Sequence, residues 1–204
     1  MKKLYKYLLD AVVVSTVLAC SACASMPVAD PAVEGDQPET LEKITIPASI
    51  FEFANSDIED NFEEFSDYCY SVERDGNDLI LGVTPPQKEE LIEMYAASID
   101  DVVETMTEEE PGYYVETDKD HSRFVYHYDE KIDNVLQARM LLTITTSDVL
   151  IGILETKDPN WNVQARIVNC HTGLAVGETT FPQGSITFGP DEWKASYDNG
   201  AWLK

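Results

Sequence analysis

A tight turn followed at once by a helix start constrains this chain more than any other feature. Asp75-Gly76 lies between the alternating segments YCYSVER and LILGVTP, and glycine readily adopts the positive φ that a short hairpin turn requires. Thr84-Pro85-Pro86-Gln87 then combines a capping threonine, a proline at the first helical position and a glutamine that can complete a capping box. This order predicts an antiparallel hairpin that leads directly into a helix.

Two further hairpins and a second helix are predicted downstream. YYVETD and RFVYHY flank one polar turn, and NVQARIVN and LAVGETTF flank another around Cys170-His171-Thr172-Gly173. Residues 131–155 lie between these hairpins and are apolar on nearly every face, which is typical of a buried central helix.

The start of the domain completes the predicted fold. ITIPAS is predicted as a leading strand, and the acidic stretch at 51–65 as a loop with a short helical turn. We therefore expect an α+β fold with two layers. One antiparallel sheet would contain the leading strand and three hairpins, and two helices would pack on one of its faces.

Residues 1–24 have the pattern of a secretory signal. Lys2, Lys3 and Lys6 precede an apolar run at residues 11–19, which is too short to span a bilayer. Val17-Leu18-Ala19-Cys20 resembles a bacterial lipobox, whose cysteine is acylated and becomes the new amino terminus, and Cys23 is the alternative acylation site. Ordinary cleavage before Ser25 would instead release the protein. We expect an extracytoplasmic protein anchored to the cell membrane through lipid on Cys20, with secretion as the alternative.

Composition divides the remaining chain into three parts. Residues 25–43 combine prolines with acidic side chains and are predicted to be an extended linker. Residues 44–184 are expected to form the globular domain. Residues 185–204 contain Trp193, Tyr197 and Trp202 and are predicted as either an extra strand or a loose tail.

The charge of the chain excludes one class of partner. Removing residues 1–24 leaves 11 basic and 37 acidic side chains, a formal charge of 11 minus 37, or −26. A protein with this charge repels nucleic acid and anionic surfaces. We expect no nucleic-acid partner, and contact with the membrane through the lipid anchor only.

Catalytic and metal-binding patterns are not found in the sequence. Its histidines, His121, His127 and His171, form no i, i+4 pair, and it has neither a GxSxG elbow nor a glycine-rich phosphate loop. We therefore predict no catalytic residue, no metal site and no cofactor. The many carboxylates leave a glycosidase pair open as the enzymatic alternative.

Two groups of residues in the domain have open interpretations. Cys69 and Cys170 can form a disulfide in an export compartment if their strands lie close together, or remain buried free thiols. Tyr113, Tyr114, Tyr126 and Tyr128 crowd the second hairpin. They are either an exposed stacking surface for a protein or glycan partner, or rings of the core and cross-strand pairs.

Several motifs together resemble an uncharacterised family of small acidic surface lipoproteins of Gram-positive bacteria. These motifs are the lipobox, ITIPAS, the Asp-Gly hairpin, TPPQKEEL and IVNCHTGLAVGE, and the resemblance spans about residues 17–182. It implies a strand followed by hairpin, helix, hairpin, helix and hairpin, and it supplies no catalytic residues. The chain departs from the family in lacking a small, glycine-rich stretch in the second helix and in adding the aromatic tail.

The expected function follows from the predicted extracytoplasmic location and from the absence of catalytic motifs in the sequence. We expect a membrane-anchored, non-enzymatic binding or interaction module at the cell surface. The alternative is a secreted hydrolase or inhibitor that acts on cell-envelope polymers or peptides.

Overall fold

The seven strands of residues 40–203, the part of the chain that the computed structural model describes, form two separate sheets. Five helices accompany them, so the fold is mixed α/β. The predicted signal sequence with Cys20 and Cys23, and residues 25–39 of the predicted linker, lie outside the described residues.

The first sheet contains the leading strand and the first hairpin. It consists of β1 (Glu42–Ile46), β2 (Ser71–Asp75) and β3 (Asp78–Val83), arranged antiparallel in the order β1-β3-β2. Gly76 in the turn has a φ of 65°, the left-handed conformation that favours glycine over other residues. The Asp-Gly hairpin is therefore confirmed.

Two short helices form where a loop with a short helical turn was expected after the leading strand. They are α1 (Ala48–Ala54) and α2 (Ile58–Tyr68). Asp57 caps α2, because its Oδ1 atom accepts a hydrogen bond from the Glu59 backbone N–H at 2.8 Å. Phe65 of α2 is buried. The helix α2, which contains most of the acidic stretch, is thus amphipathic, and its carboxylates occupy the exposed side.

The third helix, α3 (Pro85–Glu109), begins where the capping pattern predicts. The Thr84 backbone N–H donates to Gln87 Oε1 at 3.0 Å, and the Gln87 backbone N–H lies 3.5 Å from Thr84 Oγ1. Pro85 loses no hydrogen bond at this position, because the first N–H groups of a helix have no partner within it.

The second sheet contains the other two hairpins. Its strands are β4 (Tyr114–Thr117), β5 (Arg123–Tyr128), β6 (Val163–Asn169) and β7 (Ala175–Phe181), in the order β4-β5-β6-β7. The pairs β4–β5 and β6–β7 are antiparallel, whereas β5 and β6 run parallel. The helix α4 (Asn134–Thr156) connects the two parallel strands, as such a crossover requires.

The protein therefore does not form the expected single antiparallel sheet with two helices on one face. The reason is α4, which is apolar around most of its circumference and must be covered on several sides. It contacts β1 of the first sheet, β6 of the second sheet, and the helices α1 and α3.

Among the described residues, α4 is also long and apolar enough to cross a membrane. This is weak evidence for a membrane span, because the core helix of a globular domain has the same length and composition. Ile144, Val149 and Ile153 are among its buried side chains. The expected central helix accounts for its hydrophobicity.

The aromatic tail contains a helix rather than an extra strand or a loose segment. This helix, α5 (Pro190–Asn199), has Pro190 at its first position, and Glu192 Oε2 accepts a hydrogen bond from the Gly189 backbone N–H at 2.8 Å. Trp193 is buried, with its ring 5.6 Å from that of Tyr128 and 6.0 Å from that of Phe188. Burial of this ring attaches α5 to the second sheet.

Candidate functional site

The parallel strand pair brings two polar residues to the same edge of the second sheet. Asp129 directly follows β5, and His171 lies two residues beyond the end of β6. Tyr128 pairs with Asn169 in the parallel register, so both strands end at the same level. Ligand sites of sheets with parallel strands lie at this carboxyl edge.

Asp129 is a buried carboxylate with three hydrogen-bond donors. Its Oδ1 atom accepts from the Tyr113 hydroxyl and from the Lys131 backbone N–H, both at 2.7 Å. Its Oδ2 atom lies 2.9 Å from Nε2 of His171. Asp129 thereby joins the segment before β4, the end of β5 and the turn between β6 and β7.

The hydrogen bonds determine the charge of this carboxyl. Burial alone would raise the pKa of Asp129, but donation from Tyr113, His171 and the Lys131 backbone holds it below its usual range. Burial and the hydrogen bond to Asp129 raise the pKa of Tyr113, which therefore stays protonated. An ionised carboxylate only accepts, so Nε2 of His171 carries the hydrogen.

The turn that carries His171 is held by buried Asn169. The His171 backbone N–H donates to Asn169 Oδ1 at 2.9 Å, and Asn169 Nδ2 donates to Ser196 Oγ on α5 at 2.8 Å. Gly173, with a φ of 71°, donates its N–H to the Asn169 carbonyl at 2.8 Å. The imidazole is thus fixed by its backbone as well as by Asp129.

Three rings form an aromatic platform, which we define as His171, Tyr197 and Trp202. The ring of Trp202 lies 5.1 Å from that of His171 and 5.7 Å from that of Tyr197, with interplanar angles of 31° and 26°. Trp202 is 64% exposed, and the His171 side chain is 36% exposed. The platform therefore offers an accessible indole supported by two further rings.

A cleft of about 500 Å³ lies between the start of α4 and the segment that leads into α5. Its lining includes Glu130, which follows Asp129 in the chain, and the amide side chains Asn134 and Gln137. Phe188 and Trp193 supply apolar walls. Amides and a carboxylate beside aromatic rings are suited to binding a ligand that carries hydroxyl groups.

Cys170 is adjacent to His171 but is not prepared for nucleophilic catalysis. Burial, followed by the charge of Asp129, raises the pKa of the Cys170 thiol to about 11. Thiolate, the reactive form, is therefore scarce at neutral pH.

The two domain cysteines do not form the disulfide considered from the sequence. Cys69 and Cys170 are free cysteines in the structure, and burial raises the pKa of Cys69 to about 11 as well. Cys69 lies at the end of α2, beside the first sheet, and Cys170 follows β6 of the second sheet. Alternation along the two strands could not show that they belong to different sheets.

The four tyrosines of the second hairpin do not form a shared surface. Tyr113, Tyr126 and Tyr128 are buried, and only Tyr114 is exposed. Tyr126 lies on the face of β5 that meets α4, where its hydroxyl is 3.0 Å from Thr145 Oγ1. The physical reason is the central position of β5, whose large rings fill the core between the sheet and the helix. The core interpretation accounts for three of these rings.

The other two histidines are not part of the platform. His121 precedes β5 at the opposite edge of the sheet, and its Nδ1 atom is 2.6 Å from Oδ1 of buried Asp148 on α4. His127 stacks on Tyr114 with a centroid distance of 4.1 Å. Within residues 40–203, no three His, Cys, Asp or Glu side chains are grouped as metal ligands would be.

The sequence predicts His171 in a turn and Trp202 in the aromatic tail, but it does not connect them with Asp129. A polar residue just after each of two parallel strands would have been the signal. That signal becomes readable only once β5 and β6 are known to be parallel.

Comparison with known proteins identifies no relative of this chain. No protein-family model, curated protein or solved structure matches the chain. The chemistry of the platform therefore follows from its own geometry.

Proposed function

We propose that this protein is a lipid-anchored, extracytoplasmic binding module that binds a neutral glycan on the aromatic platform. The observation that carries the proposal is the exposed Trp202 ring, backed by His171 and Tyr197 and placed beside ionised Asp129. The apolar face of a sugar ring packs on an aromatic ring, while its hydroxyl groups need nearby hydrogen-bond partners.

Charge favours a neutral glycan over an anionic polymer. The chain after residue 24 has a formal charge of −26, and Asp129 and Glu130 add local negative charge near the platform. A phosphate-rich or carboxylate-rich polymer would be repelled. A neutral sugar is not repelled, and the exposed carboxylate of Glu130 can accept hydrogen bonds from its hydroxyl groups.

Binding is favoured over hydrolysis by the state of the groups around His171. An activated nucleophile requires a side chain within hydrogen-bond reach of the imidazole. Asp129 engages Nε2 of His171 at 2.9 Å, and no hydroxyl or thiol of residues 40–203 hydrogen-bonds to Nδ1, the ring nitrogen that Asp129 leaves free. Cys170 next to it has a pKa raised to about 11. The secreted hydrolase remains the weaker alternative.

The anchor rests on the sequence. The lipobox-like Val17-Leu18-Ala19-Cys20 would anchor the domain, and the acidic, proline-containing linker would hold it away from the membrane surface. The last two residues of the linker predicted at 25–43, Glu42 and Lys43, belong to β1 instead. Membership of the family of small surface lipoproteins is part of the same proposal.

Replacing Cys20 by serine is expected to move the protein from the membrane fraction to the medium or to leave it unprocessed, because the acylated side chain is lost. Cys23→Ser is the matched control and should stay in the membrane fraction. Fractionation and intact mass spectrometry of the mature amino terminus measure both outcomes. A wild-type protein that begins with unmodified Ser25 would contradict the anchor.

Replacing Trp202 by alanine is expected to weaken glycan binding at least tenfold, which corresponds to about 1.4 kcal/mol. The stacking surface is lost, while the exposed position leaves the core intact. Isothermal titration calorimetry of the full chain with neutral N-acetylglucosamine oligosaccharides of two to six units provides the measurement.

Tyr70→Ala is the control for the platform. Tyr70 is an exposed aromatic residue just before β2 of the first sheet, so its removal should leave the affinity unchanged. Equal losses in the two variants, or no binding of any oligosaccharide by the wild type, would overturn the proposed glycan site.

A further inference from the structure

Arg166 in the middle of β6 is a half-buried cation that forms no ion pair within the described part of the chain. Six other basic side chains each contact a carboxylate: Lys43, Arg74, Lys88, Arg139, Lys157 and Lys194. Lys119, Arg123 and Lys131 make no such pair but are exposed. In a chain with a large excess of carboxylates, an unpaired cation away from bulk water requires an explanation.

The lack of a partner for Arg166 is clearest at its Nε atom. This atom is inaccessible to solvent and has no hydrogen-bond acceptor. Glu178 pairs with Arg166 across β6 and β7 in the sheet register, yet the two side chains form no ion pair. A buried donor without an acceptor is destabilising, and a bound anion that draws the guanidinium towards it would supply the missing acceptor.

Arg166 lines a groove of about 450 Å³ between α5 and the start of β7. The volume lies within the range of about 300–1,000 Å³ that is typical of small-molecule sites. Half of its eight lining residues are aliphatic: Leu174, Ala175, Val176 and Ala195. The groove therefore offers one cation, Arg166, and one carboxylate, Glu192, beside an apolar surface.

The other polar side chains of the groove already have partners. Glu192 Oε2 accepts from the Gly189 backbone N–H at 2.8 Å, and Asn199 Nδ2 donates to the Ala195 carbonyl at 2.9 Å. Ser196 Oγ donates to the Trp193 carbonyl at 2.7 Å and accepts from Asn169 Nδ2. The guanidinium of Arg166 is left as the group with unused donors.

We propose that this groove binds a carboxylate carried on a short aliphatic chain, with Arg166 as its counter-ion. The planar guanidinium presents donors at the spacing of two carboxylate oxygens. A monoanion is favoured over a phosphate dianion, because Glu178 and Glu192 lie on the neighbouring elements and repel each added negative charge. This site is separate from the aromatic platform and does not depend on its ligand.

A carboxylate on a short aliphatic chain can belong to a free small acid or to the carboxyl terminus of a peptide. The ligands compared below distinguish these two sources. Isothermal titration calorimetry of the full chain would compare N-acetyl-alanyl-alanine with its carboxamide, and both with butyrate. We expect the free acid to bind at least tenfold more tightly than the carboxamide. Butyrate as tight as the dipeptide identifies a small acid as the ligand, and much weaker butyrate identifies a peptide carboxyl terminus.

Variants assign the binding to Arg166. Arg166→Gln is expected to lower the affinity for the free acid at least tenfold, while Arg123→Gln, the same charge change at an exposed position of neighbouring β5, leaves it unchanged. Ala195→Leu narrows the groove from an exposed helix position and should also lower the affinity. Circular dichroism melts confirm that each variant is folded.

Several results would overturn the proposal. They are equal affinities for the acid and the carboxamide, tighter binding of inorganic phosphate than of the acid, and equal losses in Arg166→Gln and Arg123→Gln. Full affinity in Ala195→Leu would place the carboxylate outside the groove even if Arg166 were required.

Discussion

Replacing Asp129 by alanine is expected to lower the free energy of unfolding by about 3–5 kcal/mol, the range observed when one partner of a buried charged network is removed. Asp129 is 4% exposed and accepts from Tyr113, His171 and the Lys131 backbone. The substitution leaves these donors without their acceptor and disconnects three segments of the second sheet. Urea denaturation at pH 7 measures the change.

Asp101→Ala is the matched control for Asp129. Asp101 also contacts a cation, Arg139, but this pair lies on the exposed surface between α3 and α4, where an ion pair contributes about 0–1 kcal/mol. Similar losses in the two variants would show that Asp129 does not organise the edge of the sheet. A double-mutant cycle with Tyr113→Phe should give a coupling energy of about 1 kcal/mol or more.

Loss of the Asp129 carboxylate should also weaken glycan binding at the aromatic platform. His171 then lacks the acceptor that orients its ring, and Trp202 packs on that ring at 5.1 Å. We expect glycan affinity to fall in Asp129→Asn, which retains the shape of the side chain but not its charge. Unchanged affinity in a folded Asp129→Asn protein would separate the platform from the carboxylate.

The wild type is expected to lose stability as pH rises from about 5 to 8. Replacing Asp148 by asparagine is expected to abolish this pH dependence. Asp148 is fully buried on α4, and burial raises its pKa to about 8. The unfolded carboxyl ionises near its usual pKa of about 3.9. Between these pH values the folded protein holds a proton that the unfolded chain has released.

The sign follows directly from this proton count. Because the folded state binds more protons than the unfolded state, the free energy of unfolding falls as pH rises, by at most about 1.4 kcal/mol for each pH unit. The unsatisfied Oδ2 atom of Asp148 adds to the cost of the ionised form. Asp148→Asn cannot ionise, so we expect it to be more stable than the wild type by about 2–4 kcal/mol at pH 8.

Urea denaturation at pH 5, 6, 7 and 8 provides the measurement for Asp148. Asp100→Asn on α3 removes an exposed carboxylate and should follow the wild-type profile. Parallel profiles for Asp148→Asn and the wild type would show that Asp148 is ionised throughout this range, as the partner of His121.

Local sequence rules were sufficient for most secondary structure of the domain. The Asp-Gly hairpin, the capping box at Thr84 and the apolar helix α4 lie where the residues indicate. These features depend on contacts between residues a few positions apart, which a sequence displays directly. The same rules were insufficient for α1, α2 and α5, whose short amphipathic segments are stabilised by burying single rings such as Phe65 and Trp193.

Only the tertiary structure decided which distant segments meet. Residues 129 and 171 become neighbours because α4 buries most of its circumference between other elements and returns the chain parallel to β5. The sequence by itself determined the turns, the caps and the alternation of strand faces. It could not determine that β5 and β6 pair in parallel, because this pairing depends on which neighbours cover the mostly apolar helix α4. The Asp129–His171 contact and the aromatic platform follow from that pairing.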